Sequence, residues 1–523
     1  MDTDVVIAGG GPNGLMLACE LALAGIRPLV LERLAEPSRE PKANGLLGQV
    51  VRLMDQRGLF ESLSGGDGPP SPNRAYFMFG ALPLDLSVLD DSPLYALPAP
   101  QHHIVRVLDD RARELGVPVL RGHEVTGLSQ DDDAVTVTVT GPDGPYTLRA
   151  RHLVGADGAH SVTRKLAGIE FPGVSYDRAT VRSAHASLPA AWINPGSGAL
   201  NVPGHGPVLP FLPHRTERGG FSYAPLPGHP PLISTTEWEP PATTEPMTLA
   251  EMRASVARVL GADLPLEAPP GEGPHVLRRL AGGNTRIAER FRDRRVFLVG
   301  DAAHVYAAGG GPGLNLGLQD AVNLGWKLAA ALDGRAPDGL LDTYETERRL
   351  AAERMVMNAR AQSALIAPGP DVTGMRELFT ELLGDPATVG RLAALTAGAD
   401  VRYAITGEHP LTGTFAPDLA LETPDGPTRL AELARSARPL LLDLTSNGSL
   451  AAALTEPPVD VVTASAGPDA PTALLLRPDG YVAWASSAAR PDPAELEKAL
   501  GEWFTAAPAD GRRDSRAPGT SLH

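Results

Sequence analysis

The sequence predicts an α/β chain. A Rossmann-like dinucleotide-binding domain is interrupted by an inserted β-sheet layer and followed by a second, smaller α/β unit. Three observations predict this. First, Gly9-Gly10-Gly11-Pro12-Asn13-Gly14 fits G-x-G-x-x-G and stands between a strand-like run, Asp4–Ala8, and a helical run, Leu15–Ala22; a second strand, Pro28–Leu31, then ends on Glu32. Second, a strand-to-helix junction recurs far downstream, where Arg295–Val299 runs into Gly300-Asp301 and a glycine-rich turn. Third, the stretch between them changes character from Phe171 to about Pro274, where proline is dense and apolar pieces are short.

A lone glycine fingerprint is a weak signal, but strand, helix, second strand and a spaced acidic residue together make a nucleotide-binding βαβ unit. Gly9 makes the tight turn, Gly11 lets a pyrophosphate approach, and Gly14 packs helix on strand, with Pro12 and Asn13 completing the loop. Glu32 would accept hydrogen bonds from ribose hydroxyls. A carboxylate there disfavours a 2′-phosphate, so the resident nucleotide is FAD or NAD, not NADP. Gly25 is positioned as a helix C-cap. Lys42 follows the ribose strand and reads either as a solvated charge or as a cofactor contact. A helix is expected over Val50–Gly58, and residues 65–100 read as short strands and loops of a second layer. Gln101 opens a helix bearing Ile104, Val107, Leu108 and Leu115. Strands follow at Val117–Leu120, His123–Val125 and Ala134–Thr140, with a turn at Gly141–Gly144, a return at Tyr146–Ala150 and a further strand at Leu153–Gly155. That last strand reaches Ala156-Asp157-Gly158-Ala159-His160-Ser161, with Arg164 one turn on; by itself this reads as a helix cap with an Asp-Gly turn.

One helix, Thr248–Leu260, stands out in the insertion. The chain then returns to the nucleotide domain at Arg290. The strand Arg295–Val299 delivers the Asp301 carboxylate, glycines at 309–311, 313 and 317 let backbone pass close to a flat ligand, and a helix after Gly317 buries Leu318, Ala321, Val322, Leu324 and Leu328. Its unpaired N–H groups suit a cofactor with a hydroxyl chain that also gains negative charge, as a reduced flavin does. A long helix runs from Tyr344 to Ile366. The expected division is 1–170 with 275–365 for the nucleotide domain, 171–274 with part of 70–100 for the inserted layer, and 366–406 for a helical linker. A terminal unit spans 407–505, and a disordered tail spans 506–523. The terminal unit carries buried-strand runs at Leu440–Leu442 and Val459–Val462, a hairpin Ala473–Trp484, and a helix Pro493–Phe504.

Composition bounds the function. The 523 residues suffice for about three domains. Acidic residues outnumber basic ones, 62 to 46, for a net charge of −16, which disfavours nucleic acid and anionic membrane surfaces as partners. The single cysteine, Cys19, sits among apolar helix formers and reads as a core residue. No disulfide framework is possible, no signal peptide or membrane-spanning run is evident, and a cytoplasmic location is expected. No metal-ligand cluster is read from the chain. A monomer or a homodimer fits equally.

With these pieces in order, the chain resembles the FAD-dependent aromatic hydroxylases, the single-component group A flavoprotein monooxygenases related to p-hydroxybenzoate hydroxylase. The matching residues are Gly9–Gly14, Gly155–Arg164 and Arg295–Asn315, and the resemblance covers about the first 365 residues. The remainder is similar to members acting on polycyclic polyketides in antibiotic pathways, which end in a thioredoxin-like domain without redox cysteines; Leu476–Trp484 looks like that domain's signature hairpin. The resemblance implies roles. Glu32 binds the adenosine ribose and Arg33 lies by the adenine. Lys42 approaches the FAD where the family more often has Arg. Gln101 contacts the ribityl region, and the Val125 backbone contacts adenine. Asp157 belongs to the motif linked with both FAD and NAD(P)H, Asp301 binds ribityl hydroxyls, and Gly313, Leu314 and Asn315 cover the pyrimidine edge of the flavin. One departure is clear: two prolines usual beside the flavin are Ala307 and Ala308 here, and Pro312 replaces a polar residue, which implies a freer loop.

The resemblance further implies transient NADPH or NADH, O₂, and a C4a-hydroperoxyflavin that hydroxylates a large aromatic small molecule of phenolic or quinone polyketide type. No side chain is assigned as catalytic acid or base. His304 reads as structural, while His102 and His103, next to Gln101, read equally as surface residues or as candidate acid–base groups. Baeyer–Villiger insertion at the same flavin and a non-catalytic FAD-binding protein remain open, whereas the five tryptophans form none of the W-x-W pairing of flavin-dependent halogenases.

Overall fold

The computed structural model describes residues 2–38, 40, 42–225, 230–241, 243–271, 273, 275–307 and 312–504. Its core is a mostly parallel sheet. β1 (Thr3–Ala8) is a β-branched apolar run, buried along its whole length, as a central strand covered on both faces requires. It pairs in parallel with β2 (Pro28–Glu32) on one side and with the end of β6 (Gly144–Gly155) on the other. β3 (Val119–Arg121) extends the sheet beyond β2, and β12 (Val296–Leu298) beyond β6. A two-residue strand, Arg292–Asp293, makes the far edge. β4 (Glu124–Gln130) and β5 (Val135–Gly141) attach to β6 as an antiparallel ribbon.

The sequence pattern splits β6 in two; the structure makes it one strand of 12 residues. Its first half pairs antiparallel with β5 and its second half parallel with β1 and β12, so Arg151 and His152, which interrupt the apolar pattern, fall where the strand passes from one partner to the next. His152 is buried beside Phe297, and desolvation pulls its pKa down to about 3, which keeps it neutral.

Two helices cover one face of this sheet: α1 (Pro12–Leu23) and α4 (Pro312–Leu332). They cross closely at Gly325, where a Cβ would lie 2.6 Å from the Cβ of Glu20. α2 (Gln101–Glu114) packs beside α1. The segment between β6 and β12 supplies five strands of a six-stranded antiparallel sheet, and the chain just after β12 supplies the sixth; the order is β8 (His214–Thr216), β9 (Gly219–Ala224), β10 (Leu232–Glu237), β7 (Gly173–His185), β11 (Leu277–Ile287), β13 (His304–Val305). α3 (Leu249–Leu260) seals one face over Phe221, Tyr223 and Ile233. The hairpin Tyr76–Phe79/Leu82–Asp85 does not join that sheet. It packs on Leu365 at the end of α5 (Asp342–Ile366) and on Val389 of the helix Pro386–Ala397.

The terminal domain is thioredoxin-like. β14 (Leu440–Asp443) runs parallel to β15 (Asp460–Thr463) and antiparallel to β16 (Ala473–Leu476), which pairs with β17 (Val482–Ser486); α6 (Pro493–Trp503) closes one face. It docks on the first domain through Arg477, whose guanidinium is fully buried and donates to both Glu347 oxygens at 2.7 and 2.8 Å. No helix among the described residues is long and apolar enough to cross a membrane, and none of them form a cluster able to hold a metal ion.

Candidate functional site

The site grows from the C-terminal ends of β1, β6 and β12, where a parallel sheet leaves its crevice. Gly9 has φ +111°, and a Cβ there would meet the Ala156 carbonyl oxygen at 2.4 Å, so both conformation and space demand glycine. A Cβ on Gly14 would lie 2.0 Å from the Gly9 oxygen, so α1 starts hard against the turn. Gly11 differs: a Cβ would meet nothing within 4 Å, which leaves room over the loop for a ligand. Gly11 is also the N-cap of α1, and no side chain caps it. Pro12 has no N–H to donate and presets the first helical turn, leaving the Asn13 and Gly14 N–H groups for an anion. Glu32 turns back over this loop: one carboxylate oxygen accepts from Gly10 N and the other from Leu34 N, both at 2.8 Å. Each oxygen keeps a lone pair for a ribose hydroxyl. Arg33 is exposed beside it, and Val125 lies at a bulge in β4, next to the segment where His123 N donates to Glu32 O.

Asn13 joins this loop to the second junction. A Cβ on Gly300 would fall 1.9 Å from its amide nitrogen, and one on Gly317 would fall 2.3 Å from it, so the side chain wedges between the turn after β12 and the start of α4. The helix begins at Pro312, six residues before the sequence pattern starts it, because proline is favoured in a first turn and the glycines at 313 and 317 can be helical. Asp301 follows Gly300 at the end of β12. Its carboxylate is exposed, its Oδ1 lies 3.1 Å from where a Gly313 Cβ would sit, and partial desolvation raises its pKa despite nearby His304 and Lys42. Lys42 is half-exposed and pairs loosely with Glu40 at 3.5 Å.

Residues 43–47 are held across the first turn of α4. Asn315 Oδ1 accepts from Leu47 N at 3.1 Å, Gln101 N donates to Ala43 O at 2.9 Å, and Gln101 Oε1 accepts from Ala43 N at 3.4 Å. Leu314 packs on the core beside them. The structure thus brings Lys42, Gln101, Asp301, Gly313, Leu314 and Asn315 together near the first turn of α4. Ala308 and Gly309–Gly311, expected beside the ring, lie outside the described residues, as does the tail from 505.

The Asp157 carboxylate is held by groups of its own motif. It accepts from Ser161 Oγ at 2.5 Å and from Thr163 N and Oγ1 at 2.9 and 3.0 Å, capping the short helix Val162–Leu166. Arg164, on that helix, donates to Ala302 O at 2.8 Å and stacks on Phe171 at 3.8 Å. The middle motif therefore clamps the Asp301 turn from below. His103 is half-buried, its Nε2 within hydrogen-bond distance of Ser62 O at 3.1 Å.

β13 continues directly from this turn, so the six-stranded sheet adjoins Asp301 and the start of α4. The α3 side of that sheet is closed by ion pairs: Glu237 with Arg182 and Arg258, and Glu251 with Arg182 and Arg279. Strand alternation turns Val181, Ser183, Ser234, Thr236 and Leu280 to the opposite face. There Ser183 and Ser234 share a 2.9 Å hydrogen bond, and Leu280 is 52% exposed, an apolar residue of a sheet interior left open.

This geometry agrees with what the chain matches. The FAD binding domain family model matches residues 2–359, and the aromatic-ring hydroxylase C-terminal model matches 409–507. The chain belongs to the FAD-dependent aromatic-ring hydroxylases. It is 44% identical over 517 residues to a 12-dehydrotetracycline 5-monooxygenase/anhydrotetracycline 6-monooxygenase of Streptomyces rimosus, covering 96% of this chain and 99% of the relative. It is 39% identical over 511 residues to a dialkyldecalin synthase of Streptomyces rugosporus, covering 96% and 99%. The solved structure of the anhydrotetracycline hydroxylase OxyS from Streptomyces rimosus superposes with a TM-score of 0.84 at 42% identity, covering 97% of this chain and all of that one. The chain is thus a FAD-dependent monooxygenase of the aromatic hydroxylase type.

The residues of this hydroxylase fit FAD: an uncapped helix N-terminus over an open glycine, a carboxylate at the ribose strand, and a second carboxylate at a second helix start. Two buried residues here have no signal in the glycine motifs, Asp320 and Arg348. Asp320 interrupts the apolar face of α4 with a charge, which is the pattern that marks it; Arg348 is indistinguishable in sequence from the other charges of the run Glu345–Arg349.

Proposed function

We propose that this hydroxylase uses NAD(P)H and O₂ to hydroxylate a large, planar phenolic or quinone substrate of polyketide type. The observation that carries it is the continuity of Asp301, the first turn of α4 and the six-stranded sheet. A ring seated along Gly313–Asn315 would look toward the Ser183, Ser234 and Leu280 face. When bound, FAD supplies the redox chemistry and the activated oxygen. The chain's own tasks are to bind, orient and exclude water. Glu32 and the α1 N-terminus anchor the adenosine and pyrophosphate. Asp301 orients the ribityl chain, and the α4 N-terminus stabilises negative charge on the pyrimidine edge. Leu280 and Val181 offer apolar contact to a fused ring system, and the serine pair offers hydroxyls to its oxygens. NAD(P)H visits without a second nucleotide fold, in a chain that works in the cytoplasm.

The test is substrate-stimulated NAD(P)H oxidation by the FAD-loaded protein against a panel of polycyclic phenols and hydroquinones under ¹⁸O₂. A product heavier by one labelled oxygen on a ring carbon supports hydroxylation, and label within a ring lactone supports Baeyer–Villiger insertion. A second reading is favoured by the relative named as a dialkyldecalin synthase: turnover of a substrate without NAD(P)H and without label would establish it.

A further inference from the structure

The terminal domain has no thiol, since Cys19 is the only cysteine and lies in α1. Its hairpin instead reaches into the first domain. Arg477 sits among four aromatic rings, Trp503 at 4.6 Å, Trp326 at 5.2 Å, Tyr403 at 5.3 Å and Tyr481 at 6.0 Å. Tyr481, from the same hairpin, stacks on Tyr403 with centroids 4.0 Å apart. The contacts continue inward. Arg348 Nη1 donates to the Tyr403 hydroxyl at 2.8 Å, its Nε to Asp320 Oδ1 at 2.7 Å, and its Nη2 to Leu316 O at 3.1 Å. Asp320 Oδ2 accepts from Gly300 N at 3.1 Å and lies 2.6 Å from His304 Nε2. Arg348, Asp320 and His304 are fully buried and Tyr403 nearly so, so no water competes for these bonds.

One guanidinium therefore ties three things together: the turn that carries Asp301, the first turn of α4, and a tyrosine stacked under the terminal domain. We propose that Arg348 is a positioning residue through which the terminal domain sets the geometry of the FAD-binding turn. The proposal rests on the reading that Asp301 and the α4 N-terminus hold FAD. A purely structural domain would need only the Arg477–Glu347 dock; it would not need a hydrogen-bonded path ending on Gly300 N.

The test is titration of FAD into full-length apoprotein, with the visible flavin spectrum and the apoprotein unfolding midpoint recorded together. Tyr403→Phe removes the hydroxyl and keeps the ring stack. It is expected to raise the FAD dissociation constant about tenfold, the order that loss of a hydrogen bond to a charged group produces, and to alter the flavin spectrum. An unchanged constant and spectrum overturn the proposal. Leu474→Ala opens a cavity in the terminal sheet away from this path. If Tyr403→Phe also lowers the midpoint, an equal loss of FAD affinity in Leu474→Ala at matched destabilisation likewise overturns it, and a loss confined to Tyr403→Phe supports it. Asp301→Asn separates the two claims: if it too leaves FAD binding intact, the FAD seat is wrong, whereas weakened binding in Asp301→Asn with none in Tyr403→Phe sinks the relay alone.

Discussion

At the scale of single residues, the two junctions differ in how they tolerate change. Gly9 is constrained twice, by a φ of +111° and by the Ala156 oxygen 2.4 Å from its missing Cβ. Gly9→Ala must therefore push β1 away from β6 or distort the turn, at a cost on the order of 1–3 kcal/mol for the backbone alone. The expected outcome is a folded protein that elutes without flavin on gel filtration, read from absorbance. Gly11 has open space instead, so Gly11→Ala leaves the apoprotein midpoint unmoved and yet lowers FAD affinity, because the added methyl fills the ligand's own room. Equal FAD affinity in Gly11→Ala and the parent would refute the seating of the pyrophosphate there. Both glycines were legible in the sequence because their constraint is local: the motif and the strand it follows are contiguous. Asp320 shows in the sequence only as a charge on the apolar face of α4, and Arg348 does not show at all, because their pairing depends on α4 and α5 meeting Tyr403 from elsewhere in the chain, and a charge in a helix gives no sign of its partner.

At the scale of elements, sequence pattern located α3 to within a residue because its stop and start are chemical. Thr248 Oγ1 accepts from Glu251 N at 3.2 Å, and Gly261 ends the helix at φ +70°. Thr248→Ala removes that cap and should lower the unfolding free energy by about 1 kcal/mol, measured by denaturant titration, with FAD affinity unchanged because α3 seals the sheet face opposite Ser183, Ser234 and Leu280. α4 starts six residues earlier than the sequence pattern places it, since glycines at 313 and 317 signal a turn in isolation and are tolerated in a helix only where Asn13 and the Asp301 turn pack against them. β6 was divided in sequence because Arg151 and His152 break its apolar pattern; the neutral, buried His152 shows that strand pairing outweighed polarity there. The hairpin of residues 76–85 reads as sheet from its aromatic run, but what it packs on, the end of α5 and a linker helix, is invisible to local pattern.

At the scale of the whole molecule, the joint between domains is a buried charge cluster. Glu347 accepts from Arg477, from Lys327 Nζ at 2.6 Å and from Asn323 Nδ2 at 2.7 Å, while Asp479 accepts from Arg477 and Asn323. Burial by itself would raise the Glu347 pKa, but Arg477 and Lys327 outweigh it and hold the carboxylate down at about 2. A carboxylate depressed from its ordinary 4.5 binds fewer protons folded than unfolded, so its stabilisation is complete above about pH 4.5 and is lost as pH falls toward 2. Over that span it is worth about 3 kcal/mol. Glu251, held at about 2 first by its hydrogen bond from Arg279, adds a loss of the same sign in the same window, though its partial exposure screens it. Glu347→Gln should therefore do two things at once. At neutral pH it leaves Arg477 and Lys327 buried with one fewer counter-charge and destabilises the chain by about 3–5 kcal/mol. Between pH 4.5 and 2 its stability should fall less steeply than that of the parent, since one proton uptake on unfolding is gone. Urea titrations at a series of pH values measure both. A variant curve parallel to the parent's throughout the acid window would mean that Glu347 does not titrate with the fold, and that the joint is held by the aromatic cage around Arg477 rather than by its charges.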